Sequence, residues 1–153
     1  MKRMTYDSTK DTEEHQEKVR SFLYRFVGEI IDRVVHHDDS KLQEPEKSMY
    51  DEFTPKLKDL TYGSDEYIQT LMAMGAALQH HYQVNSHHPE HFENGINSMS
   101  LIDILEMLAD WKAAGMRHAN GNMVQSLEVN RERFEISDQL YEILLNTTRE
   151  LGW

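Results

Sequence analysis

Five of the nine histidines fall within the twelve residues His80 to His91, in the stretch QHHYQVNSHHPEHF. Imidazole has middling helix propensity, two ring nitrogens that need partners, and a charge that changes near neutral pH. Packing alone is therefore a poor reason to concentrate it, and metal ligation is a good one. Upstream, VVHHDDSKL sets His37 beside Asp38, with Lys41 one turn later. Divalent transition ions accept such mixtures of imidazole and carboxylate. A third group, Asp103, Glu106 and Asp110, shares one face of a predicted helix, and His15 stands alone near the start. Taken singly, each has a structural explanation: a polar helix end, a solvated acidic face, a buried histidine bonded to a carbonyl. Their conjunction favours a metal centre. The chain has no cysteine, which excludes a thiolate site, a disulfide and a cysteine nucleophile.

The elements that must position these residues are helical. Apolar residues at Val19, Phe22, Leu23, Phe26, Val27, Ile30, Ile31, Val34 and Val35 mark an amphipathic helix, which Asp11 or Thr12 could cap and which ends near HHDDSKLQEP. A shorter helix follows Pro45 and stops before Pro55. TYGS reads as a turn in which Ser64 caps the next helix, where Tyr67, Leu71, Met74, Leu78, His81 and Asn85 share one face and His80 points elsewhere. Pro89 and Asn94-Gly95 place NSHHPEHFENG in a loop or a single helical turn. Ser100 caps SLIDILEMLADWKAAGMRH, whose core stripe is Leu101, Ile104, Leu105, Leu108 and Trp111. After Asn120-Gly121 come MVQSLEVNRERF and SDQLYEILLNTTRE, the latter opened by Ser137. With no strand alternation, the chain reads as all-α, a compact helical bundle forming a single domain over 1–153.

Composition narrows the partners. The formal net charge of −11 opposes duplex nucleic acid, and no Lys/Arg stripe follows a phosphate track. A small anionic substrate stays compatible, because bound cations reverse the local field of an acidic site. The N-terminus MKRMTYDSTKDTEEHQEK lacks the apolar run of a signal peptide, and no stretch approaches the roughly 20 residues of a membrane span. The expected compartment is the cytoplasm.

The order His15, His37-Asp38, His81 or a neighbour, His88 or a neighbour, then Asp110 resembles the HD-domain superfamily of metal-dependent phosphohydrolases over roughly residues 12–118, with helices over 121–150 added. The phrases HDDSKLQEPE, LTYGSDEY, HHYQVNSHHPEHF, LIDILEMLADWKAA and VNRERFEISDQL more closely resemble a small family of unknown function frequent in phages and bacteria. The superfamily resemblance implies an all-helical HD-like bundle holding one divalent ion on His15, His37, Asp38 and Asp110. A second ion would sit on His81 and His88. Mn, Fe, Co or Zn are the expected metals. The histidine spacing leaves His80 or His81, and His87, His88 or His91, as alternative ligands. The resemblance further implies hydrolysis of a small phosphorylated metabolite, most plausibly a nucleotide, and self-association as a homodimer. Lys41 would neutralise phosphate, and Glu106 or Asp103 would serve as general base. Glu44, Glu46 and His91 could orient the ligands from behind. Two rival functions are a di-iron oxygenase of the HD type and a non-catalytic, metal-stabilised module that binds a protein partner.

One condition is geometric. His15 and His37 are separated by 22 residues, about 33 Å along an unbroken helix at roughly 1.5 Å per residue. Sharing an ion requires a break, for which Gly28 is the natural place.

Overall fold

The structure, a computed structural model, describes residues 6–61, 63–117 and 121–153. The Asn120-Gly121 turn expectation and His118 fall partly or wholly outside them. Among the described residues there are seven α-helices and no strand, so the fold is all-α. No helix among them is long and apolar enough to cross a membrane. Packing divides the chain into two units, one ending at His37 and the other Asp38–Trp153.

The first unit is built on α1, Thr9–His36. It runs unbroken through Gly28, where every flanking position keeps its helical hydrogen bonding, so the expected hairpin does not form. A lone glycine costs a helix only about 1 kcal/mol, and the amphipathic rhythm on both sides outweighs it. None of its residues is buried. Its apolar stripe is exposed, Phe22 at 60% and Val34 at 74%.

The second unit begins with a 3-10 turn, Asp39–Leu42, and continues with α2 (Lys47–Lys58), α3 (Asp65–Met72), α4 (Ala76–Val84), α5 (Leu101–Gly115), α6 (Met123–Arg133) and α7 (Asp138–Glu150). Here α2 runs through Pro55 rather than stopping before it. Pro55 lies in the last half of the helix, and only one amide donor is lost there. The face predicted from Tyr67 to Asn85 is divided between α3 and α4, because Gly75 adopts φ 52° between them. Only glycine takes that conformation without a Cβ clash.

Several caps fall where the sequence put them. Ser64 accepts from the Tyr67 amide at 3.2 Å, Ser137 from the Leu140 amide at 3.3 Å, and Ser100 from the Asp103 amide at 3.2 Å. The core joins Met107, Leu108 and Trp111 of α5 to Met123 and Leu127 of α6 and Tyr141, Leu144 and Leu145 of α7. Helices α6 and α7 thus supply half of the residues of this buried cluster. The α5 stripe is also turned from its expected position: Leu101 is exposed, Leu105 is largely so, and Asp103 and Met107 are buried. Packing on α6 and α7 selects the 107/108/111 face over the 101/105 face.

Candidate metal centre

The stretch HDDSKLQEPE organises one side of the site. Asp38 takes a left-handed conformation, φ 61° and ψ 18°, which Asp tolerates better than most residues. The next residues form the 3-10 turn, Asp39–Leu42, that carries Ser40 and Lys41. Lys41 donates from Nζ to Asp38 Oδ2 at 2.5 Å and lies 5.0 Å from the Tyr50 ring centroid. With Oδ2 held, Oδ1 turns toward the histidines. Six residues beyond Ser40 comes Glu46, fully buried at the start of α2.

The stretch HHYQVNSHHPEHF supplies the other side. His81 lies on α4 and is 1% exposed, whereas His87 and His88 follow the helix end at Asn85, with His87 2% exposed. His81 Nε2 lies 2.9 Å from His88 Nε2 and 3.4 Å from Asp38 Oδ1, and His87 Nε2 lies 3.5 Å from the same oxygen. Asp38, His81, His87 and His88 each offer a ligand atom within 4.8 Å of the others. Two ligands at adjacent positions of an octahedral ion with bonds of about 2.1 Å stand about 3.0 Å apart, and tetrahedral neighbours about 3.4 Å. The observed separations span both values, so these groups could hold a metal ion.

The outer nitrogens support that use. His81 Nδ1 is 2.9 Å from Glu46 Oε2, and His87 Nδ1 is 3.1 Å from Glu106 Oε1. A carboxylate on Nδ1 keeps the proton there and presents the Nε2 lone pair inward, the arrangement that metal-binding histidines use. Glu46 also receives His80 Nδ1 at 2.7 Å and the Ser40 hydroxyl at 3.0 Å. Asn85 Nδ2 lies 3.0 Å from His81 Nδ1 as well. Its two hydrogens are taken by the His81 carbonyl and the Ser40 hydroxyl, each at 2.9 Å, so the Nδ1 proton goes to Glu46.

Burial lowers the pKa of His81, and the nearby Lys41 charge lowers it further against the opposing pull of Asp38 and Glu46. Burial also pushes His88 down to about 2, reinforced by His87, His81 and Lys41. Both rings are neutral at physiological pH, the form that ligates. Tyr50, with its ring edge toward His81 at 5.8 Å between centroids, is raised well above the usual phenol range, mainly by burial and then by Asp38 and Glu46.

Beside the cluster lies a cavity of about 680 Å³, lined by Lys41, Tyr50, His81, Tyr82, His88, Asp110 and Trp111 among others. Among its charged lining residues Lys41, Lys47 and Arg133 are paired with Asp38, Asp51 and Glu90, and Lys58, Arg117 and Asp110 line it as well.

Against the expected ligand set, the structure regroups several residues. His81 and His88 join Asp38 itself, where a separate second ion was expected. His87, which the sequence offered only as an alternative to His88, joins it as the buried fourth member. Asp110 lines the cavity and has a carboxylate oxygen within 4.8 Å of one from Asp38. His37 ends the first unit, its amide bonded to the Arg33 carbonyl at 2.9 Å. His15 is corrected: α1 is continuous, so about 33 Å of helix separates it from His37, and the two cannot share an ion.

Both proposed bases are also reassigned. Asp103 is buried in the α5 capping box, its Oδ2 accepting from the Ser100 amide at 2.9 Å and hydroxyl at 2.7 Å, its Oδ1 from Ser86 at 2.6 Å. A carboxylate so engaged holds the helix start and has no access to a substrate proton. Glu106 orients His87. His80 stands behind Glu46, and exposed His91 bonds the Tyr82 carbonyl at 3.0 Å.

No curated protein and no solved structure matches the chain. A family model described as "Family of unknown function (DUF5662)" matches residues 4–150, nearly the whole sequence and all of the residues that build the centre. The chain belongs to that family.

Proposed function

We propose that the protein is a divalent-metal-dependent phosphohydrolase acting on a small phosphorylated metabolite, most plausibly a nucleotide. One observation carries the reading: three imidazoles and a carboxylate converge, with two of the histidines backed by carboxylates, beside a cavity that lysine and arginine side chains also line. Asp38, His81, His87 and His88 would hold an ion of the Mn, Fe, Co or Zn group, with Asp110 close to the Asp38 carboxylate. Such an ion, when bound, supplies a water of lowered pKa and polarises a phosphoryl oxygen.

The remaining work falls to the chain's own residues. Lys41 offsets the Asp38 charge and faces the cavity, where it can draw in a phosphate. Tyr50, kept as a phenol, is a hydrogen-bond donor on the same wall. Asp110 is the cavity carboxylate that can orient a water and take its proton. Tyr82 offers a flat surface on the cavity wall against which a base can lie, and a cavity of this size is within the usual range for small-molecule sites.

The test begins with metal content per chain, by mass spectrometry on untagged protein, beside Asp38→Ala and Asp110→Ala. Retained transition metal that falls in Asp38→Ala, with phosphate release from a panel of nucleotides, supports the proposal. Failure to retain or take up Mn, Fe, Co or Zn would overturn it in favour of a non-catalytic protein-binding module. Iron with oxygen-dependent turnover and no phosphate release would favour the oxygenase.

A further inference from the structure

The turn that begins at Asp38 fixes a cation as well as a ligand. The Lys41 amide donates to the Asp38 carbonyl at 2.9 Å, so both side chains leave the same single turn. Lys41 Nζ reaches Asp38 Oδ2 at 2.5 Å, with the two side chains only 25% and 18% exposed, and stands 5.0 Å from the Tyr50 ring centroid. A carboxylate oxygen and an aromatic ring together hold this ammonium in place. It is a fixed part of the site.

Centres with two divalent ions set them about 3.5–4 Å apart and clamp the attacking and leaving oxygens between them. A carboxylate that serves both ions gives one oxygen to each. In Asp38, Oδ1 faces His81 and His87 at 3.4 and 3.5 Å, and Oδ2 carries the ammonium. The imidazoles that a second ion would need are engaged as well, because His81, His87 and His88 gather with Asp38 in one cluster. Asp110 stands near Asp38 on the wall that Lys41 also lines, but repulsion between like charges grows as water is excluded. A further dication there would meet the ammonium at close range. We propose that Lys41 stands in for a second ion: the centre takes one divalent ion per chain, and the ammonium performs the second ion's part on the substrate. An ammonium has three donor hydrogens. One goes to Asp38 Oδ2, which leaves donors for a phosphoryl oxygen in the cavity.

This role of Lys41 rests on the proposed reading of Asp38, His81, His87 and His88 as metal ligands, and counting ions separates the two. The experiment titrates the full, untagged, chelator-stripped chain with Mn(II), and with Zn(II) in parallel, following metal content by mass spectrometry and bound Mn by electron paramagnetic resonance. Wild type should saturate at one ion per chain, with the hyperfine pattern of isolated Mn(II). Lys41→Glu removes the ammonium and adds a carboxylate beside Asp38 and Asp110, so it should take two ions and show the broadened spectrum of a coupled pair. Lys41→Arg should stay at one. Because the chain has no cysteine, Lys41→Cys allows the cation to be removed and rebuilt on one folded preparation. It should admit a second ion, and alkylation with bromoethylamine, which restores an ammonium, should exclude it again. Two ions in wild type overturn the proposal, as does Lys41→Glu that folds and stays at one while wild type also binds one; that last result leaves the metal centre standing. If Lys41→Glu loses its helical circular dichroism, the cysteine variant decides, and an ion count unchanged by alkylation overturns the proposal. A wild type that takes up neither metal removes the centre itself, and the role of Lys41 with it.

Discussion

Asp38 is the residue on which most of the site turns: one oxygen holds Lys41, and the other faces His81 and His87. Asp38→Ala and His87→Ala should each lose most bound metal, whereas His15→Ala should leave the stoichiometry unchanged; metal analysis of the three purified variants distinguishes them. Glu46 acts one bond further out. Replacing such a partner of a ligating histidine typically weakens metal binding about 10–100-fold, so Glu46→Gln should raise the dissociation constant by that factor in a competition titration. Protonation opposes the same site. His81 and His88 are held below their ordinary value, His88 down to about 2, while in the unfolded chain both titrate near about 6.5. Below that pH the unfolded state takes up protons that the folded state refuses. Stability should therefore be constant above neutrality and fall as the pH drops from about 6.5, by up to about 1.4 kcal/mol per unit for each histidine. Urea midpoints of chelator-treated protein from pH 4 to 8 would show this, and a flat profile would contradict it.

At the scale of elements, two short stretches build the centre by ending helices abruptly. One is the turn after Asp38, and the other is the turn after Asn85, which brings His87 and His88 back against His81. The start of α5 is held by Ser100, Ser86 and Asp103 rather than used for chemistry. Asp103→Ala should therefore cost about 1–2 kcal/mol of stability, the usual loss for a cap with an added buried bond, with metal uptake unchanged. Denaturant unfolding and metal analysis of one preparation test both halves, and loss of activity without loss of stability would restore Asp103 as a base. The break between α3 and α4 depends on Gly75 at φ 52°. Alanine there should destabilise by about 1 kcal/mol through the Cβ it adds to a left-handed residue.

For the molecule as a whole, an ion bound only by the folded state stabilises it through mass action, by about 2.7 kcal/mol at 100 times its dissociation constant. In a domain of this size that corresponds to about 5–10 °C in Tm. Thermal scans with Mn or Zn and then with chelator should show the rise and its reversal. The hydrophobic core of α5, α6 and α7 lies apart from the ligands in chemistry but next to them along the chain, since Trp111 both packs in it and lines the cavity.

By itself the sequence determined the all-helical class, the serine caps at 64, 100 and 137, and the two stretches from which a metal centre could come. Those features are local: periodicity, capping chemistry and residue type act within a few positions. What it left undecided needed distance. Five histidines in twelve residues cannot say which three converge, because a chain that leaves a helix at Asn85 can turn any of them inward, and only packing against Asp38, Glu46 and Glu106 selects 81, 87 and 88. The same periodicity that marked α1 as a helix could not say whether Gly28 would break it or whether its apolar stripe would enter a core. Nor could it give Asp103 its role, since a carboxylate at that position serves a cap or a proton transfer equally well until its neighbours are known. Tertiary structure decided these, through burial and hydrogen-bond partners contributed by residues far apart in the chain.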